Sequence, residues 1–585
     1  MIQQSGIVAE ILRNKFGAVI DDMRATLVNT AYSAAIARGR ECAAAIFTES
    51  GELIDCDSVV HMCSLSETVA QVIEYFKYDM TANDVIITND PYSGGTRVQD
   101  FTLVAPIAHE DEIVMYAAVR ARMADIGGEL LGSLNPLAQE IWGEGARITP
   151  VKLVRDGKLQ KDVLTTILLN SRMPEALRLD LDAMMAAINI GKLRLAGLFG
   201  SYGNAAVVIA ARWALEYAER RLAAEIAAWP KGEYHGASRL QHDCQGREDL
   251  AVRVTMRVAE GALELDFAQS DQQSSGFANS TRANTFSYAL VALLSVIDES
   301  IPRNSGLLRR IALTTRKGTI VDAEFPAPTG WSNYHAGCEI VEAMTSALAE
   351  FLPARVANVA ASIPLADVIA QAVNHGGTIE QVAVFDYAAF CQGDCGAAEG
   401  RDGWGLPGIF AQRPLPSAEI HEIEVGNPIA SLEFATDSGG AGQWRGGPGN
   451  ELKVWLGNRP EDLRLNLCIE RSDRGIERQA GGRTGARCDA QLVVEGKATS
   501  IERTLVNAPI GPGTALIMRM SGGAGWGLPY QRDAEAVLRD VLDQYVSLQA
   551  AHDDYGVVIR PDSMIIDVDA TRRRRSELAA TAARQ

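Results

Sequence analysis

The chain is short of positive charge. It sets 55 Lys and Arg against 74 Asp and Glu, a formal net charge of −19. A nucleic-acid partner is not expected, because phosphate neutralisation needs a basic surface. Histidine is scarce as well: the eight residues never occur as HxxH or HxH, so no paired-imidazole metal signature exists. There is no GxxxxGK[ST], no GxGxxG following a predicted strand, no GxSxG and no kinase signature set. A nucleotide site in this chain is therefore not expected. The nine cysteines include no CxxC pair, and Cys391 and Cys395 are spaced CxxxC. They read as reduced thiols that fill cores. No 18-residue apolar run is free of charge, and residues 204–229 are broken by Arg212, Glu216, Glu219, Arg220 and Arg221. The first residues lack the basic-then-apolar order of a signal peptide. A cytoplasmic location without membrane association is the expectation.

What is present is enough to build large cores. The 585 residues are 47% hydrophobic and 22% charged, which predicts several domains or one large interlocked unit. Residues 1–235 read as mixed α/β. Helical spacing runs from Ile7 to Leu27, and short strands are predicted at 44–47, 53–54, 85–88 and 113–119. Residues 180–229 predict long helices, and the Pro230-Lys231-Gly232 break marks the first expected boundary. Residues 236–390 form a second expected domain, with paired strands at 250–258 and 262–267 and helices at 284–297 and 336–352. Residues 391–570 are glycine-dense, with CGAAEGRDGWGLPG, DSGGAGQWRGGPG, QAGGRTG and SGGAGWGLP but no fixed period. Glycine at this density costs backbone entropy. Interleaved Trp404, Trp444 and Trp526 and a strand-like run at 463–469 argue for ordered structure over flexible linker. Such order suits stacked polyproline-II-like segments or backbone N–H groups facing a ligand. The tail, 571–585, with four consecutive arginines, is expected to fray.

One segment carries candidate chemistry. Residues 89–100, NDPYSGGTRVQD, follow a predicted strand and set Arg97 and Asp100 beside a glycine pair, a loop position favoured for sites. Arg40 and Glu41 precede the first strand, and Arg122 and Asp125 precede Gly127-Gly128.

These segments, in order, resemble the B-type subunit of the hydantoinase/5-oxoprolinase family. That group includes ATP-dependent hydantoinases, 5-oxoprolinases, lactamases and one large subunit of the acetone and acetophenone carboxylases. The resemblance runs from about Ala31 to Val558 through residues 29–47, NDPYSGGTRVQD, ADIGG (124–128), EIWGEGARITPVKL (140–153), IPRNSGLLRR (301–310), TDSGGAGQWRGGPG (436–449) and SGGAGWGLPYQRD (521–533). It implies an α+β fold: the N-terminal α/β part, a barrel-like β core and a glycine-rich polyproline-II-like bundle. It implies that ATP and Mg2+ belong to a kinase-like A-type partner subunit, with no cofactor in this chain. It also implies a heteromer with more than one copy of each chain, and an additional small subunit in the carboxylase case.

The departures from the family pattern concern a metal site. The resemblance implies an acid after Arg, GGTHxxD, and a His-His pair before xDIGG. Here Glu41 and Asp100 remain, but Arg97 replaces the loop His, and Arg122 and Met123 replace the pair. Guanidinium is not a metal ligand, so no transition metal is expected. Arg97 and Arg122 instead supply positive charge to Glu41 and Asp100, either as a structural cluster or as a holder of an anion. His61 matches a family His and joins the candidate set Glu41, His61, Arg97, Asp100 and Arg122. The leading functional expectation is the non-ATPase subunit of an ATP-dependent ketone carboxylase, since ring hydrolysis commonly relies on a metal to aim water. A cyclic-amide hydrolase subunit and a non-catalytic scaffold are the alternatives.

Overall fold

The computed structural model describes residues 2–110, 112–132, 134–357, 364–373, 379–391, 393, 395–404, 415–456, 462–471 and 480–582. Residues 405–408 and 479 of the glycine-rich stretches and 583–585 of the tail lie outside them. The chain divides into two compact units, the first ending at Ala347 and the second beginning at Leu348.

The first unit opens with helix α1 (Ile2–Thr30), whose Leu12, Phe16, Val19, Ile20, Met23 and Leu27 fall on one buried face at helical spacing. A short α2 (Ala34–Ala37) leads to strands β1 (Cys42–Thr48) and β2 (Leu53–Cys56), then α3 (Val59–Tyr75) and β3 (Val85–Thr88). A long hairpin follows, β4 (Asp100–His109) with β5 (Glu112–Arg122), then β6 (Val151–Arg155) and β7 (Lys158–Leu159). These strands form one seven-stranded sheet ordered β2-β1-β5-β4-β3-β6-β7, with antiparallel pairing between neighbours. Its central strands are buried along nearly their whole length. A sheet covered on both faces reads as a continuous apolar run rather than an alternation. Helices α4 (Lys161–Leu169), α5 (Pro174–Tyr202) and α6 (Asn204–Ala227) follow. α1 and α5 share a core with β1, β4 and β5. No single described helix is long and apolar enough to cross a membrane; α5 and α6 would be so only together, and they bend by 110° at their junction.

Strands β8 (Gly232–His242), β9 (Glu248–Ala259) and β10 (Ala262–Asp266) start a second sheet, completed after α7 (Arg282–Leu294) and α8 (Ser305–Leu308) by β11 (Ile311–Thr314). Its order is β11-β10-β9-β8. Helix α9 (Gly337–Ala349) closes the unit. The Pro230 break is therefore the turn from α6 into β8 and not a domain boundary, and the expected 236–390 domain is divided between the two units. Burial accounts for this: Leu215, Leu222 and Ile226 of α6 are buried, and α6 packs on α8, β9 and β10, across the break.

The second unit has two open antiparallel sheets. One is β13 (Ile379–Asp386), β12 (Leu365–Val373), β16 (Asp462–Cys468) and β19 (Thr504–Ile510), in that order. The other is β14 (Ile429–Phe434), β15 (Asn450–Trp455), β20 (Ala515–Arg519), β17 (Asp489–Val494) and β18 (Lys497–Ile501). Residues from both, Leu465 and Leu467 with Leu452, Val454 and Met518, share one core. The expected barrel-like core is not found: among the described residues no sheet closes on itself. The glycine-rich segments pack backbone against backbone. Gly440 N donates to Gly523 O (2.8 Å), Gly523 N to Gly447 O (2.9 Å) and Gly525 N to Arg483 O (2.9 Å). A Cβ on Gly446 would lie 1.9 Å from Gly523 O. Helices α10 (Ala418–Val425), α11 (Ala534–Leu542) and α12 (Leu548–Asp553), a small hairpin β21 (Ile559–Arg560) with β22 (Ile565–Ile566), and α13 (Val568–Ala582) complete the unit. The tail expected to fray is thus helical through Ala582; Arg575 anchors it by donating from Nε to Tyr555 O (3.2 Å).

Candidate functional site

Three strand ends of the first sheet meet at one edge. β1, β5 and β4 are neighbours and run antiparallel, so the start of β1, the end of β5 and the start of β4 coincide. Glu41 immediately precedes β1, Arg122 ends β5, and Asp100 begins β4 directly opposite Arg122. The loop that delivers Arg97 is held tightly. Asn89 donates to Val98 O (2.6 Å) and Ala146 O (2.8 Å) and accepts from Ile148 N (2.6 Å). Gly94 is left-handed (φ +84°) and lies where a Cβ would come within 2.5 Å of Thr68 N on α3, so only glycine fits.

Four of the five candidate residues are joined by direct bonds. Arg122 Nη1 donates to Glu41 Oε1 (2.8 Å) and Arg97 Nη2 to Glu41 Oε2 (3.2 Å). Arg97 Nε donates to Asp100 Oδ1 (3.1 Å), and Thr96 Oγ1 to Asp100 Oδ2 (2.5 Å). Burial alone would raise the Asp100 carboxyl, but the Arg97 guanidinium outweighs it and holds the group below the usual carboxylate range. The fifth residue, His61 on α3, lines the same cavity without a hydrogen bond to the cluster. Burial pushes its pKa down to about 4, so the ring is neutral at ordinary pH.

Sequence reasoning missed three further members. Asn333 Nδ2 donates to Asp100 Oδ2 (2.8 Å), and Tyr334 donates from its hydroxyl to Glu41 Oε2 (2.9 Å) while its ring lies 5.1 Å below the Arg97 guanidinium carbon. Both precede α9, on a segment fixed by Glu144, which accepts from Thr329 N (2.9 Å) and Gly330 N (2.6 Å). Burial pushes the Glu144 carboxyl up to about 8. The third is Arg120, two residues before Arg122 and so on the same face of β5. It is 1% exposed and donates only to hydroxyls: Thr102 (2.9 Å), Ser64 (2.6 Å) and Thr68 (2.8 Å). Burial lowers its pKa to about 10, which leaves it charged at neutral pH. Two arginines two apart in an otherwise apolar strand were the available signal. Asp125 lies outside the cluster: its carboxylate accepts from Arg172 N (2.7 Å) and Nη1 (3.0 Å) and pins the start of α5.

The donor set does not fit the divalent cation that the resemblance implies. Each oxygen of Glu41 and Asp100 already accepts from Arg97, Arg122, Tyr334, Thr96 or Asn333, and positions 97 and 122 place cations where ligands are needed. Of the cluster, Arg97, Glu41, Asp100, Asn333 and Tyr334, together with His61, line a cavity of about 20 Å3, the space of one or two water molecules.

The chain is 28% identical to the beta subunit of the caprolactamase of Pseudomonas jessenii, over 97% of this chain and 99% of that one. It is 25% identical to the B-type chain of a putative D-/L-hydantoinase from a Pseudomonas species, over 97% and 98%. Its fold matches the crystal structure of the ATP-dependent caprolactamase from Pseudomonas jessenii with a TM-score of 0.87 at 25% identity, covering 98% of this chain and 99% of that one. The nucleotide-free acetone carboxylase has the same fold, with a TM-score of 0.87 at 18% identity over 99% and 84%. The model of the Hydantoinase B/oxoprolinase family matches residues 5–529, and the chain belongs to that family.

Proposed function

We propose that this chain is the B-type subunit, not itself an ATPase, of a multisubunit ATP-dependent enzyme that opens a cyclic amide. A kinase-like A-type partner would carry ATP and Mg2+ and phosphorylate the amide oxygen. Water would then add to the activated carbon, the C–N bond would break, and phosphate would leave. The reading is carried by one observation: near-complete alignment, in sequence and in fold, with the caprolactamase at 25% identity or above. Ketone carboxylation, the leading expectation from sequence, is kept as a second reading. The observation in its favour is the replacement of implied metal ligands by Arg97 and Arg122. In either case Glu41, His61, Arg97, Asp100 and Arg122 are proposed to line the reaction chamber, and the closely packed glycine-rich segments are proposed to be polyproline-II-like.

The test is ATP turnover by the purified complex with candidate substrates. ADP release that rises in step with opening of a lactam or hydantoin ring is expected. ADP release dependent on a ketone plus bicarbonate would replace the first reading with the second. Turnover unaffected by Arg97→Ala, with stability lowered, would reduce the cluster to a scaffold.

A further inference from the structure

Arg120 lies behind the cavity wall and not on it. On the β4–β5 hairpin it stands directly opposite Thr102, one same-face step along from the Asp100–Arg122 pair. No carboxylate is bonded to it among the described residues. Its partners are the hydroxyls of Ser64, Thr68 and Thr102, which are, like Arg120 itself, at most 2% exposed. A guanidinium buried on those terms is costly, and an apolar side chain of similar volume would fill the space without that cost. What the group organises lies one bond further on. A guanidinium only donates, so a hydroxyl that accepts from it directs its own proton elsewhere. Ser64 Oγ donates to His61 O (3.1 Å) and Thr68 Oγ1 to Gly94 O (2.9 Å). His61, Ser64 and Thr68 are three and four residues apart on α3, so one face of that helix carries all three. The Gly94 bond is the first of a series: Gly95 O accepts from Thr281 Oγ1 (2.8 Å) and Thr96 O from Ser332 Oγ (3.2 Å). The three carbonyls that precede Arg97 are thus each held by a hydroxyl from a different part of the chain.

We propose that Arg120 is a positioning residue with two arms: through Ser64 it fixes the turn of α3 that presents His61, and through Thr68 it fixes the loop that presents Arg97. One side chain behind the wall thereby sets the placement of two cavity-lining groups that come from different elements. The fork of the guanidinium suits this role. Its three nitrogens meet three hydroxyls at once, whereas the single nitrogen of a lysine cannot reproduce that planar spread. A glutamine would bring a carbonyl that competes for the hydroxyl protons and draws them away from His61 O and Gly94 O. The inference rests on the proposed function in taking His61 and Arg97 as working groups of the chamber. Both arms are read in the chain by itself, so loss of the arms and loss of the subunit assignment are separate outcomes.

The experiment takes two local readouts in the full chain: the ring 1H–13C NMR signal of His61, and amide hydrogen exchange over residues 94–100. The urea midpoint measures overall stability beside them. Ser64→Ala is expected to shift the His61 signal and to leave exchange in the loop as in the wild type. Thr68→Val is expected to speed loop exchange about tenfold, the effect of one hydrogen bond, and to leave the His61 signal in place. Thr68→Ser, which keeps the hydroxyl, is expected to retain slow exchange. Arg120→Gln is expected to move both readouts, and Arg120→Lys, which keeps a donor, to move them less. Folded Arg120 variants in which neither readout moves would overturn the proposal. So would Ser64→Ala and Thr68→Val that each alter both readouts in proportion to a lowered urea midpoint, the mark of general destabilisation. Should the Arg120 variants fail to fold, the two hydroxyl variants decide the matter.

Discussion

His61 shows how much one buried side chain contributes to the behaviour of the site. Burial holds its pKa at about 4 against 6.5 for the free group. Between those values the unfolded chain binds a proton that the folded chain does not, so stability falls as pH falls from 6.5 toward 4 and is fully present above 6.5. The difference amounts to roughly 3 kcal/mol. Urea midpoints at pH 7 and pH 4.5 are expected to diverge for the wild type and to diverge less for His61→Gln; equal divergence would show that His61 is not the titrating group. At this scale the sequence was partly legible. Glu41, Arg97, Asp100 and Arg122 sit in motifs at strand ends, and the structure bonds them to one another. Asn333 and Tyr334 were not legible, because their link to Asp100 and Glu41 spans 233 and 293 residues and depends on how α9 approaches the sheet. Arg120 was hidden for a different reason: a charged residue inside a buried strand looks like a strand boundary until hydroxyls on α3 are seen to satisfy it.

The elements themselves followed local pattern closely. The predicted strand at 85–88 coincides with β3, and those at 44–47, 53–54 and 113–119 lie within β1, β2 and β5. Helical spacing from 7 to 27 lies inside α1, and the helix predicted at 336–352 overlaps α9. Periodicity reports which face is buried, and these elements each bury a face. The tail failed the same reading because its anchor, Arg575 against Tyr555, is a tertiary contact. The glycine-rich elements carry the sharpest element-scale prediction. Gly446 passes so close to Gly523 that an added Cβ would overlap a carbonyl at 1.9 Å. Backbone cannot rotate away as a side chain can, so Gly446→Ala is expected to cost about 3 kcal/mol or more, or to prevent folding of the second unit. Gly511, with no atom within 4 Å of its virtual Cβ, is the control; Gly511→Ala is expected to change stability by less than about 0.5 kcal/mol. Equal effects in chemical denaturation would mean that the segments do not stack as described.

At the scale of the whole molecule, composition spoke to size and charge but not to architecture. A count of residues cannot reveal that α6, which ends before Pro230, packs on β9 and β10 beyond that break, so that the first compact unit runs on to Ala347. The same limit applies to assembly. A chain at −19 repels its own copies at low salt, yet the family resemblance implies more than one copy in a complex with a second kind of chain. Those copies are best held by the partner chain rather than by one another, since like charges juxtaposed across an interface oppose association. Native mass spectrometry across a salt series checks this. The chain alone is expected to be monomeric at low ionic strength, and co-expression with the A-type partner is expected to give a heteromer with more than one copy of each. A stable homodimer of this chain at low salt would contradict the charge argument, and failure to recover any second chain would remove the partner from the proposed function.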